Sequence, residues 1–233
     1  MVRSATTPHE LPVRDAASVV LVRDGCRGIE AFMLTRAPTM AFSAGATVFP
    51  GGGVEDADRL LAQQHGSITL PPGTEAFGTD DVLLRATLLA AVRETAEECG
   101  VRLSSALESL RPLSRWITPA GYPRRYDTRF FLATLPAGEH PVLDTTEAVS
   151  AGWTTAEEAF LSFCEGRIFL MPPTWSQLYT ISSFTTVEEL ESTRIDPRTA
   201  TPALTPATPE EPVVFPGAEL YYTQAARYKA SAR

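Results

Sequence analysis

Three glutamates stand close together in the run Arg93-Glu94-Thr95-Ala96-Glu97-Glu98-Cys99-Gly100-Val101. On a helix, residues three and four positions apart are neighbours, so Glu94 lies beside both Glu97 and Glu98. Carboxylates this close repel one another, and the single Arg93 leaves an excess of negative charge. Hard divalent cations take oxygen ligands, and Mg²⁺ commonly bridges protein carboxylates to a substrate phosphate. The cluster therefore favours a metal site that acts on a phosphate compound.

A solvated acidic helix face explains most glutamate-rich helices without any metal, but two features of this sequence argue against it. The cluster lies near the carboxyl end of its helix, where the helix dipole disfavours acidic side chains. Upstream, the run Val48-Phe49-Pro50-Gly51-Gly52-Gly53 supplies backbone that a ligand can approach closely. Loop and helix together predict one binding site.

The clearest helix of the sequence, residues 80 to 99, carries these glutamates. Thr79 or Asp80 can cap its beginning, and Gly100 ends it. An apolar stripe recurs at helical spacing on a different face from the glutamates, at Leu88, Val92, Thr95 and Cys99. The helix is therefore expected to pack on a core with its glutamates turned away from that stripe.

Strand patterns precede and follow this helix. They cover residues 17 to 22, 29 to 35, a short stretch before the glycine loop, 111 to 117, 127 to 135 and 148 to 154. The first two flank a turn signal and predict a hairpin. Further helices are expected from Thr155 to about Gly166, from Trp175 to Phe184, and from Thr186. This order predicts an α/β (α+β) sandwich with helices on a mixed sheet.

The chain is expected to divide into three parts. Residues 1 to 15 are predicted to be a flexible arm, 16 to 190 the catalytic domain, and 191 to 233 an extension rich in Pro and Thr. Within the domain, residues 59 to 80 hold several Gly and Pro and are predicted to be an irregular insertion.

Composition limits the partners. The 233 residues carry a formal net charge of −8, which disfavours binding to nucleic acid or to a membrane surface. The three cysteines, Cys26, Cys99 and Cys164, are far apart and odd in number, which argues against a disulfide framework. With no signal peptide in the first residues and no apolar run of membrane-spanning length, a cytoplasmic protein is expected.

The helix motif resembles the Nudix box: Gly, five residues, Glu, seven residues, then Arg-Glu-apolar-any-Glu-Glu-any-Gly-apolar. The second half matches at Arg93, Glu94, Glu97, Glu98, Gly100 and Val101, with Thr95 at a usually apolar place. The first half is similar to residues 49 to 55, with Gly52 as the box glycine and Asp58 where the family has Glu. Residues 59 to 92 replace the usual seven-residue gap.

Because it carries an insertion inside the box, the chain also resembles the coenzyme A diphosphatase-like subgroup of Nudix hydrolases. The approach to the box is similar too, with Leu34-Thr35-Arg36, Phe42 and the run from Gly45 to Gly52. The segments 125 to 131 and 172 to 175 extend the similarity, which covers residues 17 to 190. The resemblance implies a Nudix-type α/β/α sandwich.

The resemblance also implies roles for individual residues. The metal, Mg²⁺ or Mn²⁺, would be held by Glu94, Glu97, Glu98 and the Gly52 carbonyl, with Arg93 orienting the carboxylates. A further catalytic acid would come from a later loop, where Glu147 is the candidate and Asp144 and Glu139 are rivals. Arg36 and Arg125 are candidates for phosphate contact because arginine suits bidentate phosphate recognition.

The implied activity is metal-dependent cleavage of a diphosphate in a small nucleotide-type substrate, such as coenzyme A or an acyl-coenzyme A. ADP-ribose, a dinucleotide and a nucleoside triphosphate are alternatives, because specificity is determined by loops. The uncharged pantetheine arm would need an apolar wall, which residues 160 to 175 are placed to supply unless they are core. A non-catalytic ligand-sensing module is a second alternative, against which the retained glutamates argue. A homodimer is compatible with these features.

Overall fold

The computed structural model describes residues 12–40, 44–103, 107, 109–119, 122–197 and 212–231. The strands are β1 (Val13–Gly25), β2 (Gly28–Arg36), β3 (Ala46–Val48), β4 (Gly51–Gly53), β5 (Arg111–Ile117), β6 (Arg125–Thr134), β7 (Ala148–Thr155) and β8 (Phe169–Leu170). The helices are α1 (Asp56–Gln64), α2 (Asp81–Cys99), α3 (Ala156–Cys164), α4 (Pro172–Ile181), α5 (Val187–Ser192) and α6 (Ala218–Ser231), with a short 3₁₀ helix at Thr74–Phe77.

The strands form one mixed, eight-stranded sheet in the order β5-β6-β1-β2-β3-β8, with β4 paired to β1 and β7 paired to β2. The predicted hairpin is confirmed, because β1 and β2 are antiparallel and turn between Gly25 and Gly28. The pairs β1·β6 and β3·β8 are parallel, and the other pairs are antiparallel. The mixed sheet predicted from the sequence is thus confirmed.

Helices cover both faces of this sheet, and β1 therefore buries side chains on both of its sides. Val19 and Leu21 pack in a core with the apolar face of α2. Val20 and Val22 pack in a second core with α3, α4 and α6. Two cores separated by one sheet make an α/β/α sandwich, as predicted.

Helix α2 begins and ends as its sequence predicts. The Asp80 side chain accepts a hydrogen bond from the Leu83 backbone N–H at 2.9 Å. Gly100 ends the helix with φ of 71°, a left-handed conformation that glycine adopts without penalty. Leu88, Thr95 and Cys99 of the predicted stripe are fully buried. The stripe therefore fixes which face of α2 remains for the glutamates.

The irregular backbone predicted for residues 59 to 80 is wrong for residues 59 to 64, which belong to helix α1 (Asp56–Gln64). A capping box begins this helix: the Glu55 N–H donates to the Asp58 side chain at 2.9 Å, and the Glu55 side chain accepts from the Asp58 N–H. Ala62 is only 1% exposed, so the face of α1 that carries it is buried. The glycines and prolines that suggested irregular backbone begin only at Gly66, after the helix has ended.

The ends of the chain contribute to the folded body. Strand β1 already begins at Val13, which pairs with Arg125, within the range predicted as an arm. Near the other end, Phe215 and Tyr221 are buried in the core that α3 and α4 share. Residues 1–11 of the predicted arm and 198–211 of the predicted Pro/Thr-rich extension lie outside the described residues. None of the helices in the described part of the chain is long and apolar enough to cross a membrane.

Candidate active site

The glycine loop passes so close to its neighbours that side chains would not fit. A Cβ on Gly51 would lie 2.3 Å from the Ala17 carbonyl oxygen. A Cβ on Gly52 would lie 2.2 Å from Glu94 Oε1. Pairing of β4 with β1 fixes the loop in this position. The backbone at Gly52 therefore runs directly against the carboxylate of Glu94.

Arg93 holds the acidic cluster together. Its Nη1 donates to Glu94 Oε1 at 2.9 Å and to Glu97 Oε2 at 3.1 Å. Its Nη2 donates to the Gly53 carbonyl at 2.9 Å. Burial alone would lower the pKa of Arg93, but its bonds to Asp58 and Glu94 outweigh burial and raise it. Arg93 thus stays charged and ties the glycine loop to the glutamates of α2.

Asp58 completes this arrangement from the other side of the insertion. It accepts from Arg93 Nε at 3.2 Å and from Arg93 Nη2 at 2.9 Å, although 35 positions separate the two residues. Only 3% of Asp58 is exposed. The acid six positions after the box glycine therefore contacts the box arginine. The sequence pattern singled out this position, but it gave the acid no role.

The glutamates differ in their surroundings. Glu98 is 7% exposed, and its Oε2 accepts from the Gly51 N–H at 2.9 Å. Burial raises the pKa of Glu98 to about 7, the Gly51 bond opposes the rise, and the charge of Glu94 adds to it. Burial also raises the pKa of Glu94, against the lowering effect of Arg93. The Glu97 side chain is 58% exposed.

Arg36 and Glu147 join the cluster through the pairing of β2 with β7. The register shifts at the end of β2, where Arg36 pairs with Ala148, and the Ala37 N–H donates to the Glu147 carbonyl at 2.7 Å. Both charges act on Glu98: Arg36 lowers its pKa and Glu147 raises it. Arg36 Nε is buried and has no hydrogen-bond partner. Arg36 is therefore a cation beside the glutamates with a donor still to satisfy.

These residues border a cavity of about 580 Å³. The charged residues of its wall are Arg36, Glu55, Arg93, Glu94, Glu97, Arg124 and Glu147. Apolar side chains contribute another part, including Trp116, Ile117, Phe130, Met171, Pro172 and Val213. The wall is thus suited to a molecule that is charged at one place and apolar at another.

Some predicted site residues lie elsewhere. Arg125 does not line the cavity, because it begins β6 with its Nε bonded to the Thr118 carbonyl at 3.1 Å, and its neighbour Arg124 lines the wall instead. The rivals of Glu147 also lie outside the lining: the Asp144 N–H donates to the Glu98 carbonyl, and Glu139 accepts from the Arg102 N–H. Glu147 is therefore the later acid that the fold brings to the cluster.

The apolar wall differs from the predicted one. Of residues 160 to 175, only 171 to 174 line the cavity, because Phe163 and Trp175 are fully buried in the core. Trp116, only 5% exposed, belongs to the core and also lines the cavity. Tyr122, Arg124 and Val213 were missed, because they come from loops that carry no local pattern.

The donor set fits a divalent cation. Carboxylate oxygens of Glu94, Glu97, Glu98 and Glu147 are hard ligands, and a side chain at Gly52 would fill the space against Glu94. Among the described residues, no three acidic, His or Cys side chains form a ready ligand group. The oxygens of Glu94 and Glu97 are instead bonded to Arg93. Loading the site would require the carboxylates to exchange part of this bonding.

Glu98 should make the stability of the metal-free protein depend on pH. Its folded pKa of about 7 lies above the ordinary value of 4.5, so the folded state keeps a proton that the unfolded state loses. The resulting stabilisation is complete below the unfolded pKa and is lost as pH rises through 7. We expect wild type to lose about 1–3 kcal/mol relative to Glu98→Gln across this window. Urea unfolding of both proteins, stripped of metal, measures the difference; a difference that does not change with pH contradicts this expectation.

Known proteins resemble the chain in sequence and in structure. It is 27% identical to human acyl-coenzyme A diphosphatase NUDT19, over 80% of this chain and 73% of that protein. It is 28% identical to putative nudix hydrolase 7 of Caenorhabditis elegans, over 76% of this chain and 62% of that protein. A NUDIX hydrolase crystal structure from Alicyclobacillus acidocaldarius superposes with a TM-score of 0.67 and 27% identity, over 79% of this chain and 97% of that one. No family model matches the chain.

The similarity in sequence spans most of the chain and agrees with the similarity in fold. It also agrees with the box residues that meet around Arg93. On these grounds the chain is similar to Nudix hydrolases in sequence, in fold and in the residues of the box.

Proposed function

We propose that the chain is a divalent-metal-dependent hydrolase that cleaves the diphosphate of coenzyme A or of an acyl-coenzyme A. The observation that carries the proposal is the cavity itself, which sets the glutamate cluster and Arg36 beside an apolar wall. A coenzyme A molecule has a charged diphosphate and a long, mostly uncharged arm. The likeness to human acyl-coenzyme A diphosphatase NUDT19 supports the same substrate class.

The residues of the cluster would divide the work. Glu94, Glu97, Glu98 and the Gly52 carbonyl would hold Mg²⁺ or Mn²⁺. When bound, the cation would offset the charge of the diphosphate and lower the pKa of the attacking water. Arg93 would keep the carboxylates in place through its bonds to Glu94, Glu97 and Asp58. Positioning and charge stabilisation, rather than covalent catalysis, would then account for the rate.

Phosphate recognition is assigned to Arg36. Its Nε is buried without a partner, and a phosphate oxygen would satisfy it. Glu147 lies beside Arg36 and would accept a proton from the attacking water, together with the glutamates of α2. A cytoplasmic location and a homodimer stay predictions from the sequence.

A non-catalytic sensing module is the alternative of another class. It would bind a nucleotide-type ligand in the same cavity without turning it over. All three glutamates of the box are present, with Glu94 and Glu97 bonded to Arg93 and Glu98 bonded to the Gly51 N–H, and this favours catalysis over the alternative.

Competition among substrates tests the proposal. The wild-type protein with Mg²⁺ is given coenzyme A, ADP-ribose, NADH and diadenosine polyphosphates at equal concentration, and the products are identified by mass. We expect coenzyme A to be consumed first, with a phosphopantetheine product and adenosine 3′,5′-bisphosphate. If coenzyme A stays intact while another compound turns over, the substrate class is wrong and the diphosphatase activity remains. Binding without turnover of any compound would favour the sensing module.

A further inference from the structure

The carboxyl-terminal part of the chain reaches the cavity. Val213 lines its apolar part, and Phe215, two residues later, packs edge-on against Trp116 with 5.3 Å between ring centroids. Trp116 itself lines the cavity. We name residues 212 to 217 the strap. Within the strap, Val213 lines the cavity and Phe215 packs against Trp116, which is a residue of the cavity wall.

The strap is held in place by α6, which follows it. The Tyr222 hydroxyl accepts from the Val213 N–H at 2.7 Å and lies 3.3 Å from the Val213 carbonyl oxygen, to which it can donate. Burial raises the pKa of Tyr222, and the neighbouring Tyr122 hydroxyl adds to the rise. Tyr122 lines the cavity as well. The backbone of Val213 is thus fixed at the place where the loop between β5 and β6 borders the cavity.

Helix α6 is in turn anchored to the core. Gln224 accepts a hydrogen bond from the fully buried Trp175 indole N–H at 2.7 Å. Tyr221, 6% exposed, donates its hydroxyl to the Leu170 carbonyl at 3.3 Å. Gly217 passes so close to Trp175 that a Cβ there would lie 2.9 Å from the indole ring. This anchoring lets the strap act as a fixed wall for a ligand.

We propose that the strap completes the substrate cavity and that Val213 sets which uncharged arm the enzyme accepts. The proposal rests on the proposed function, since it assumes a substrate with such an arm. Val213 contributes an apolar side chain to the wall, whereas the glutamates and Arg36 contribute charged ones, so the diphosphate belongs at the glutamates and the uncharged arm belongs along the strap. A change of volume at Val213 should then alter affinity for the arm and leave the chemical step in place.

Val214 provides a matched control, because it adjoins Val213 but is 70% exposed and does not line the cavity. The test compares Val213→Trp, Val213→Ala and Val214→Trp in the full chain, with coenzyme A and with acetyl-, octanoyl- and palmitoyl-coenzyme A. We expect Val213→Trp to lower kcat/KM by about tenfold or more, mainly through KM and increasingly with acyl length. Val213→Ala should improve the longest substrate, and Val214→Trp should stay within about twofold of wild type.

Thermal unfolding of each variant separates a change of the cavity from a loss of folding. If Val213→Trp unfolds, the opposite effect expected of Val213→Ala still decides the question. Equal behaviour of the Val213 and Val214 variants across the acyl series overturns the inference. If wild type cleaves a different diphosphate, the proposed substrate fails. In that case, a change of KM in the Val213 variants but not in Val214→Trp still supports the strap as part of the cavity wall. Equal KM values for the Val213 variants and Val214→Trp overturn that role.

Discussion

Replacement of Glu98 by Gln is expected to lower turnover by about 10²- to 10⁴-fold while the protein stays folded. The amide keeps the shape of the side chain and can still accept the Gly51 N–H that Glu98 binds at 2.9 Å. It removes the charge that the cation and the attacking water would use. Initial rates with saturating Mg²⁺ and coenzyme A measure the effect.

Glu139→Gln serves as the control for Glu98→Gln, because Glu139 is an acid of the same fold outside the cavity lining. Its rate should match wild type. A wild-type rate in Glu98→Gln would remove Glu98 from the chemistry and from the proposed ligand set.

Replacement of Arg93 by Met should damage both stability and activity. Asp58, 3% exposed, would lose its two bonds from the guanidinium, and the half-buried Glu94 would lose its counter-charge. Removing one partner from a buried ion pair costs about 3–5 kcal/mol, because the other charge stays buried without compensation. Urea unfolding should show this loss, and the Mg²⁺ concentration needed for half-maximal activity should rise.

Two variants separate the role of Arg93 from a general effect on α2. Arg85→Met, on the same helix, removes a 3.8 Å contact to the exposed Asp81 and a bond to the Ile68 carbonyl, at a cost of about 1 kcal/mol. Adding Asp58→Asn to Arg93→Met should recover part of the lost stability, because it neutralises the orphaned carboxylate, but not the activity. Equal losses for Arg93→Met and Arg85→Met would contradict the central position given to Arg93.

Local patterns predicted the parts of the fold that local interactions specify. Helix α2 was predictable because Asp80 caps it, Gly100 ends it and its buried stripe recurs at helical spacing. The β1–β2 hairpin was predictable because a local turn signal separates two strand patterns. Helix α1 was missed because the Gly and Pro residues after it suggested irregular backbone, although Glu55 and Asp58 form a capping box.

Contacts between distant segments could not be predicted in the same way. The spacing of Glu94, Glu97 and Glu98 indicated a cluster, and the structure places all three around the glycine loop. The bond between Asp58 and Arg93 spans the insertion, so no local period encodes it. Val213 reaches the cavity because α6 packs on α3 and α4. The Pro/Thr-rich composition of this part of the sequence does not indicate that packing.

Product release from coenzyme A with and without metal tests the central claim most directly. Wild-type protein is stripped of metal, and its products are followed by mass with EDTA, with Mg²⁺, and with Mg²⁺ returned after EDTA. The account predicts no product in EDTA, and a phosphopantetheine with adenosine 3′,5′-bisphosphate whenever Mg²⁺ is present. The same products at the same rate in EDTA would contradict a metal-dependent diphosphatase built on Glu94, Glu97 and Glu98.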